Sequence, residues 1–211
     1  MGLTSLFLEM KDKHVLIIGT GGVGIRRARR FLDADAKVSI ISHGLDAEIK
    51  EEFTRKGAIF YGDEERDRLL DECDLVVVAT NDLELNDELA RRARDKLVNC
   101  ASDIELSNVI VPSTFELGNV TVSLYTGSRS PMMAKELRKK IQSVITHEDV
   151  LNIELQDRIR ESLKQNIPTQ EERKKLMNEI RKDKTVQKFI GENDIESAVK
   201  YVQKELIFKK K

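Results

Sequence analysis

The 211-residue sequence is poor in the residue types from which disulfides and metal sites are built. It contains two cysteines and three histidines, and no His/Cys spacing resembles that of a zinc site. Cys73 and Cys100 lie beside or within apolar runs. We therefore expect two small core residues in a reducing cytoplasm, with no disulfide and no metal centre.

Long apolar runs and a strong excess of one charge are also missing. No segment approaches the roughly 18 apolar residues that a membrane helix needs, and residues 1–8 lack the basic and apolar regions of a signal peptide. The net charge is −1, with −5 in residues 1–150 and +4 in residues 151–211. This asymmetry is too mild to indicate a nucleic-acid partner. It suits either a lobe that meets a small polyanion or a solvated helical face.

The clearest motif is a glycine-rich turn between a strand and a helix. An apolar strand from His14 runs into Gly19, Gly21 and Gly24, which have the spacing G-x-G-x-x-G. In dinucleotide-binding sheets these glycines allow a tight turn, the approach of a pyrophosphate, and close packing of helix on strand. The helix that follows carries an apolar face formed by Gly24, Ala28, Phe31 and Leu32. The N-terminus of that helix would offer free N–H groups to the phosphates.

Apolar runs alternate with helical patterns through the first hundred residues. Continuous β-branched runs between amphipathic helices indicate a parallel sheet covered on both faces. The sequence therefore predicts an α/β fold with a Rossmann-type doubly wound sheet.

The alternation changes after residue 103. Strands are predicted at residues 109–111 and 119–125, and a loop then ends at Ser130 and Pro131, which suit a helix start. Beyond Pro131 the pattern is helical, with breaks near Pro168 and Gly191. We expect three parts: a dinucleotide-binding domain (1–113), a strand–helix dimerisation segment (114–150) and a helical C-terminal lobe (151–211).

The end of the second strand departs from the usual pattern of NAD-specific sheets. Such sheets place an acid there to bind the ribose 2′-OH. Here the position falls near Ser42, and the nearest acid, Asp46, lies beyond the strand. The residues leave the choice between NAD and NADP open, and Ser42 is a candidate to bind the ribose.

The ends of the fourth and fifth strands supply further candidates. Ligands of open α/β sheets bind outside the carboxyl ends of the strands, so Ala79, Thr80 and Asn81 should line the cofactor crevice. The alternative is that Asn81 and its neighbour only begin the next helix as its cap. Asp103 follows the fifth strand, where a carboxylate can take or give a proton. Its position is equally typical of an ordinary loop or cap aspartate.

The cofactor-binding candidates are Gly19, Gly21, Gly22, Val23, Gly24, Ser42, Ala79, Thr80 and Asn81. The catalytic candidate is Asp103.

Taken together, these motifs resemble the precorrin-2 dehydrogenase/siroheme synthase family. The similarity runs through residues 6–13, 19–28, 78–82, 99–103, 109–113 and 127–131. Thr20 and Gly24 depart modestly from the family's glycine turn. The resemblance places Asp103 on the family's proposed catalytic aspartate, and it makes Ser128, Arg129 and Ser130 candidates for substrate binding.

The resemblance implies oxidation of precorrin-2, an anionic tetrapyrrole, to sirohydrochlorin with NAD⁺ as the hydride acceptor. Some family members also insert Fe²⁺, so a bifunctional dehydrogenase and ferrochelatase is an alternative. Family members are homodimers with interlocking middle segments, which implies a homodimer here. A hypothesis from another class is a non-catalytic NAD-binding regulatory domain.

Overall fold

Five parallel strands organise residues 1–111, the first of two units into which the chain divides; the second unit is residues 112–211. The structure is a computed structural model that describes residues 2–127 and 130–208. The strands are β1 (His14–Ile18), β2 (Lys37–Ile41), β3 (Ile59–Tyr61), β4 (Leu75–Val78) and β5 (Leu97–Cys100). Their order, β3-β2-β1-β4-β5, confirms the predicted parallel sheet.

Helices connect the strands and cover both faces of the sheet. They are α1 (Gly22–Leu32), α2 (Ala47–Arg55), α3 (Arg66–Glu72) and α4 (Leu83–Arg92), with 3₁₀ turns at Asp63–Glu65 and Ile104–Leu106. Alternate residues of β1 enter separate apolar clusters, Ile17 with Phe31 of α1 on one face and Leu16 with Leu89 of α4 on the other. The predicted face of α1 is buried. The Rossmann-type fold is therefore confirmed.

The strand predicted at residues 109–111 is wrong, because the backbone there is committed to β5. Both the Asn108 and Val109 N–H groups donate to the carbonyl of Val98, each at 3.1 Å. The side-chain amide of Asn99 donates to the carbonyl of Val109 at 3.0 Å. Pro112 has no N–H to extend a ladder, and the next strand begins only at Ser113.

The second unit begins with an antiparallel hairpin and continues in helices. Its elements are β6 (Ser113–Leu117), β7 (Val120–Leu124), α5 (Pro131–Val144), α6 (His147–Asn166), α7 (Gln170–Lys182), α8 (Lys184–Gly191) and α9 (Ile195–Tyr201), followed by a π-helical segment, Val202–Ile207. Ser130 is the N-cap of α5, as predicted, and its hydroxyl accepts the Met133 N–H at 3.2 Å. The helical breaks near Pro168 and Gly191 are also confirmed.

Helices α6 to α9 and the π-helical segment share an apolar core of their own. It includes Leu155 and Ile159 of α6, Ile180 of α7 and Ile190 of α8, all nearly inaccessible to solvent. In contrast, none of the α5 side chains that the structure describes is buried. No helix in the described ranges is both long and apolar enough to cross a bilayer.

Candidate functional site

The glycine turn after β1 is shaped by close approaches of backbone to backbone. Gly19 has φ of +93°, and a side chain there would overlap the carbonyl group of Ala79 at the end of β4. A side chain on Gly24 would overlap the carbonyl oxygen of Gly19. A Cβ on Gly21 would meet nothing within 4 Å. The first and third glycines therefore pack the turn, and the second faces open space.

This open space fits the pyrophosphate of a dinucleotide. Gly21 is the N-cap of α1, so no side chain occupies the N–H groups of the first turn, and that turn contains no acidic residue. Free N–H groups and the positive end of the helix dipole favour an anion. Gly22 and Val23 begin the helix at this position.

Two arginines add positive charge behind the turn. The Nη1 atom of Arg26 lies 3.4 Å from the position that a Cβ on Gly22 would take. Burial, followed by the charges of neighbouring arginines, lowers the pKa of Arg27 to about 10, so Arg27 remains a cation at neutral pH. Arg29 is instead committed to Glu52 of α2, through hydrogen bonds of 2.8 and 2.6 Å.

The end of β2 is tied to the glycine turn by hydroxyl groups. The side chains of Thr20 and Ser42 hydrogen-bond each other, and the Thr20 hydroxyl lies 2.9 Å from the carbonyl oxygen of Gly44. The Gly19 N–H donates to the carbonyl of Ile41 at 2.9 Å. The expected ribose-binding position, Ser42, therefore borders the expected pyrophosphate-binding position.

The end of β4 is held by a buried asparagine of α4 that sequence reasoning missed. Asn86 is fully buried; its Oδ1 accepts the Thr80 N–H at 3.1 Å and lies 2.6 Å from the Thr80 hydroxyl. Its amide nitrogen donates to the carbonyl of Thr80 at 3.1 Å and to the Ser102 hydroxyl at 3.3 Å. One side chain thus joins the ends of β4 and β5. A polar residue one turn into an amphipathic helix was the available signal.

Asp103 follows β5 and is exposed. Its Oδ1 accepts the Glu105 N–H at 2.9 Å, which makes it the cap of the 3₁₀ turn Ile104–Leu106. Within residues 2–127 and 130–208, the Asp103 side chain makes this one hydrogen bond. Its second carboxylate oxygen is therefore available to accept a proton. The cap geometry fixes the direction of the carboxylate and leaves it open to solvent.

The structure brings most of the predicted site residues to one edge of the sheet. The glycine turn, Ser42, Ala79 and Thr80 meet through the contacts above. Asn86 connects Thr80 to Ser102, which precedes Asp103. Asn81 is exposed beside Asp82, which caps α4 by accepting the Leu85 N–H at 3.0 Å.

The three substrate-binding candidates lie in a different part of the chain. Ser128 and Arg129 fall outside the described residues, and Ser130 caps α5 in the second unit. In the described ranges, no three His, Cys, Asp or Glu side chains are grouped so as to hold a metal ion.

Comparison with known proteins gives three main findings. Residues 6–113 match the model of a protein family described as "Putative NAD(P)-binding". The chain is 32% identical over 185 residues to the "Putative precorrin-2 dehydrogenase" of Methanocaldococcus jannaschii, covering 83% of this chain and 88% of that protein. It is 30% identical over 154 residues to the "Precorrin-2 dehydrogenase" of Bacillus subtilis, covering 70% of this chain and 92% of that protein.

Two further matches bear on chain length and on fold. The chain also matches siroheme synthases, and it spans less than half of the length of each. Among solved structures it resembles "SirC, precorrin-2 dehydrogenase" with a TM-score of 0.73 and 22% identity, covering 96% of this chain and all of that one. The structural match confirms the fold.

Proposed function

We propose, because the chain belongs to the precorrin-2 dehydrogenase family, that it oxidises precorrin-2 to sirohydrochlorin for siroheme synthesis and passes the hydride to NAD⁺. One observation carries the proposal most directly. The open glycine turn, the end of β4 and the loop of Asp103 meet at the carboxyl edge of one parallel sheet. Ligands of open α/β sheets bind at that edge.

Each part of this edge has a separate task in the proposed reaction. Gly21, Gly22 and Val23 at the start of α1 bind the pyrophosphate, and Ser42 lies beside the ribose. Ala79, Thr80 and Asn81 form the wall of the cofactor crevice, which Asn86 holds in place. NAD⁺ supplies the redox chemistry as hydride acceptor, while the protein orients the reactants.

Asp103 is the group that we assign to proton removal. Oxidation of precorrin-2 removes a hydride, which bound NAD⁺ would accept, and a proton. The carboxylate of Asp103 takes the proton from the tetrapyrrole and releases it to water, to which it is exposed. General-base catalysis of this kind contributes about 10²–10⁴-fold in rate.

The second unit carries the residues that we assign to substrate binding and to self-association. We assign Ser128, Arg129 and Ser130 to the carboxylates of the tetrapyrrole, because hydroxyl and guanidinium groups donate hydrogen bonds to carboxylates.

We also assign residues 114–150 to a homodimer interface. Within residues 2–127 and 130–208, the outer edges of the hairpin there pair with no further strand, and such edges favour pairing with another chain. Light scattering at micromolar concentration tests this assignment, and a monomer would contradict it.

The central experiment is anaerobic turnover of precorrin-2 with NAD⁺, followed by the absorbance of NADH and of the tetrapyrrole. Asp103→Asn keeps the shape of the side chain but cannot take the proton, so turnover should fall about 10²–10⁴-fold. Glu105→Gln is the matched control, because Glu105 is an exposed carboxylate on the same turn, and its turnover should stay within about threefold. NAD⁺ affinity should be unchanged in both variants.

Two outcomes would contradict the proposal at different points. If Asp103→Asn turns over as fast as Glu105→Gln, Asp103 is only a cap. If folded Gly21→Asp retains its affinity for NAD⁺, the glycine turn does not bind the pyrophosphate, because a side chain and a negative charge would occupy that position. A parallel reaction with Fe²⁺ present tests iron insertion separately.

A further inference from the structure

The turn after β2 lacks a free carboxylate for the ribose 2′-OH. Ser42 occupies the strand end, and its hydroxyl is engaged by Thr20 and by the backbone of Gly44. Asp46, the next acid along the chain, is the N-cap of α2, and its Oδ1 accepts the N–H groups of the first turn, the shorter bond being 2.9 Å from Glu48. A carboxylate that binds the ribose 2′-OH must therefore come from another segment of the fold, or the site has none.

The neighbouring strand supplies such an acid. β3 pairs with β2 in parallel, with Tyr61 opposite Ile41, so the two strands end at the same edge of the sheet. Asp63 lies two residues beyond β3, and its Oδ2 is 3.1 Å from the Nε2 atom of His43. His43 directly follows Ser42, and its side chain is 87% exposed. The Asp63–His43 pair thus lies next to Ser42, which is hydrogen-bonded to Thr20 of the glycine turn.

We propose that the Asp63–His43 pair recognises the ribose 2′ position of the dinucleotide and selects NAD⁺ over NADP⁺, an inference that rests on the proposed function. The imidazole of His43, oriented by Asp63, hydrogen-bonds the neutral 2′-hydroxyl. The carboxylate of Asp63 opposes the negative charge of a 2′-phosphate at the same position. The selecting acid thus follows β3, whereas its partner imidazole follows β2.

Direct binding measurements on the full chain test this assignment. Calorimetric titration should show that the wild type binds NAD⁺ about tenfold or more tightly than NADP⁺, since like charges are brought together only by NADP⁺. Asp63→Asn removes the charge and should reduce that ratio to within about threefold, mainly by improving NADP⁺ binding. Asp35→Asn is the matched control, because Asp35 is exposed in the turn at the opposite end of β2, and it should leave the ratio unchanged.

The outcomes separate this inference from the proposed function. If the folded wild type binds neither dinucleotide, the proposed function fails. If NAD⁺ binds but the NADP⁺/NAD⁺ ratio is the same in the wild type and in Asp63→Asn, the inference fails alone. Equal binding of both dinucleotides by the wild type also overturns it. Asp63→Ser removes the same charge with a smaller side chain, and it answers the question if the Asn variant does not fold.

Discussion

The short strands in the sheet of the first unit and those in the hairpin of the second unit differ in how completely they are buried. Every residue of β4 is buried, whereas β7 alternates between half-buried and exposed residues and β6 buries Phe115. The sheet has helices on both faces, so its inner strand β4 is apolar throughout. A two-stranded hairpin has no such cover and adds little stability alone. The second unit therefore depends on its later helices for a core.

The comparison predicts that the largest loss of stability in the second unit comes from its helical core. Ile159 of α6 is fully buried, while Ile153 of the same helix is 41% exposed. Ile159→Ala removes buried methyl and methylene groups and leaves a cavity, which should cost about 2–5 kcal/mol. Ile153→Ala, the matched control, should cost less than about 1 kcal/mol. Urea unfolding followed by circular dichroism measures both.

Thiol labelling tests whether the loss of stability caused by Ile159→Ala extends to the first unit. Cys73 and Cys100 are both buried in the first unit, and the chain has no other cysteine. Burial raises the pKa of the Cys73 thiol to about 11, so the reactive thiolate is scarce at neutral pH until that unit opens. Each unit has its own core, so Ile159→Ala should leave the labelling rate close to that of the wild type. A rate that rises in step with the loss of helix would contradict separate cores.

The second prediction concerns the glycine turn of the first unit. Gly24→Ala places a Cβ against the carbonyl of Gly19, a backbone group that cannot move aside, and should cost about 2–3 kcal/mol. Gly21→Ala is the control, because a Cβ there meets nothing within 4 Å. It should leave the unfolding midpoint nearly unchanged and weaken NAD⁺ binding. Equal midpoints for the two variants would argue against close packing at Gly24.

The third prediction tests the buried asparagine between β4 and β5. Asn86→Ala leaves the Thr80 N–H without its partner, and an unpaired buried donor should cost about 2 kcal/mol. Asn81→Ala, at an exposed amide in the same loop, is the control for stability. Loss of the Asn86 contacts should also lower turnover, because Ser102, beside Asp103, loses its hydrogen bond from the Asn86 amide. Unchanged stability in Asn86→Ala would rule out this role.

The smallest predicted effect is the pH dependence of one carboxylate before β4. The hydrogen bond from the His14 N–H, with help from Lys13, holds the pKa of Asp74 below its ordinary value. Such a group adds stability above its unfolded pKa of about 3.9, and this stability is lost as the pH falls through the folded pKa. Because the side chain is 44% exposed, the contribution should be below about 1 kcal/mol.

Acid titration of stability checks this expectation. Asp74→Asn should be slightly less stable than the wild type at pH 7, and the difference should shrink towards pH 3. Asp71→Asn, an exposed carboxylate at the end of α3, is the control. A difference that grows as the pH falls would have the wrong sign for this mechanism.

In the first unit, sequence patterns predict the strands and the glycine turn better than they predict the segment after β5. Continuous apolar runs identify β1 and β4, and the glycine spacing identifies the turn, because both depend on neighbours in the chain. Residues 109–111 look like a strand by composition, yet side-chain and backbone bonds from β5 satisfy that segment instead.

The missed site residues share one physical cause. Asn86 and Asp63 act on residues of other segments, Thr80 and His43, and each pairing depends on where the fold brings two loops together. No spacing rule reports such a contact. The proposal for Asp103, in contrast, starts from its place in the sequence directly after β5, since ligands of open α/β sheets bind at the carboxyl ends of the strands.

The contacts of Asn86 also make the opening of the crevice measurable by hydrogen exchange. Because the Thr80 N–H donates to the Asn86 Oδ1 atom, we expect its proton to exchange with deuterium when the Asn86 side chain withdraws. Its exchange rate should then report how often the end of β4 opens. The same withdrawal removes the hydrogen bond from Asn86 to Ser102, so one local opening should loosen the cofactor wall and the loop that carries Asp103 together. A dinucleotide that binds only the closed wall slows deuterium uptake at Thr80 in proportion to its occupancy.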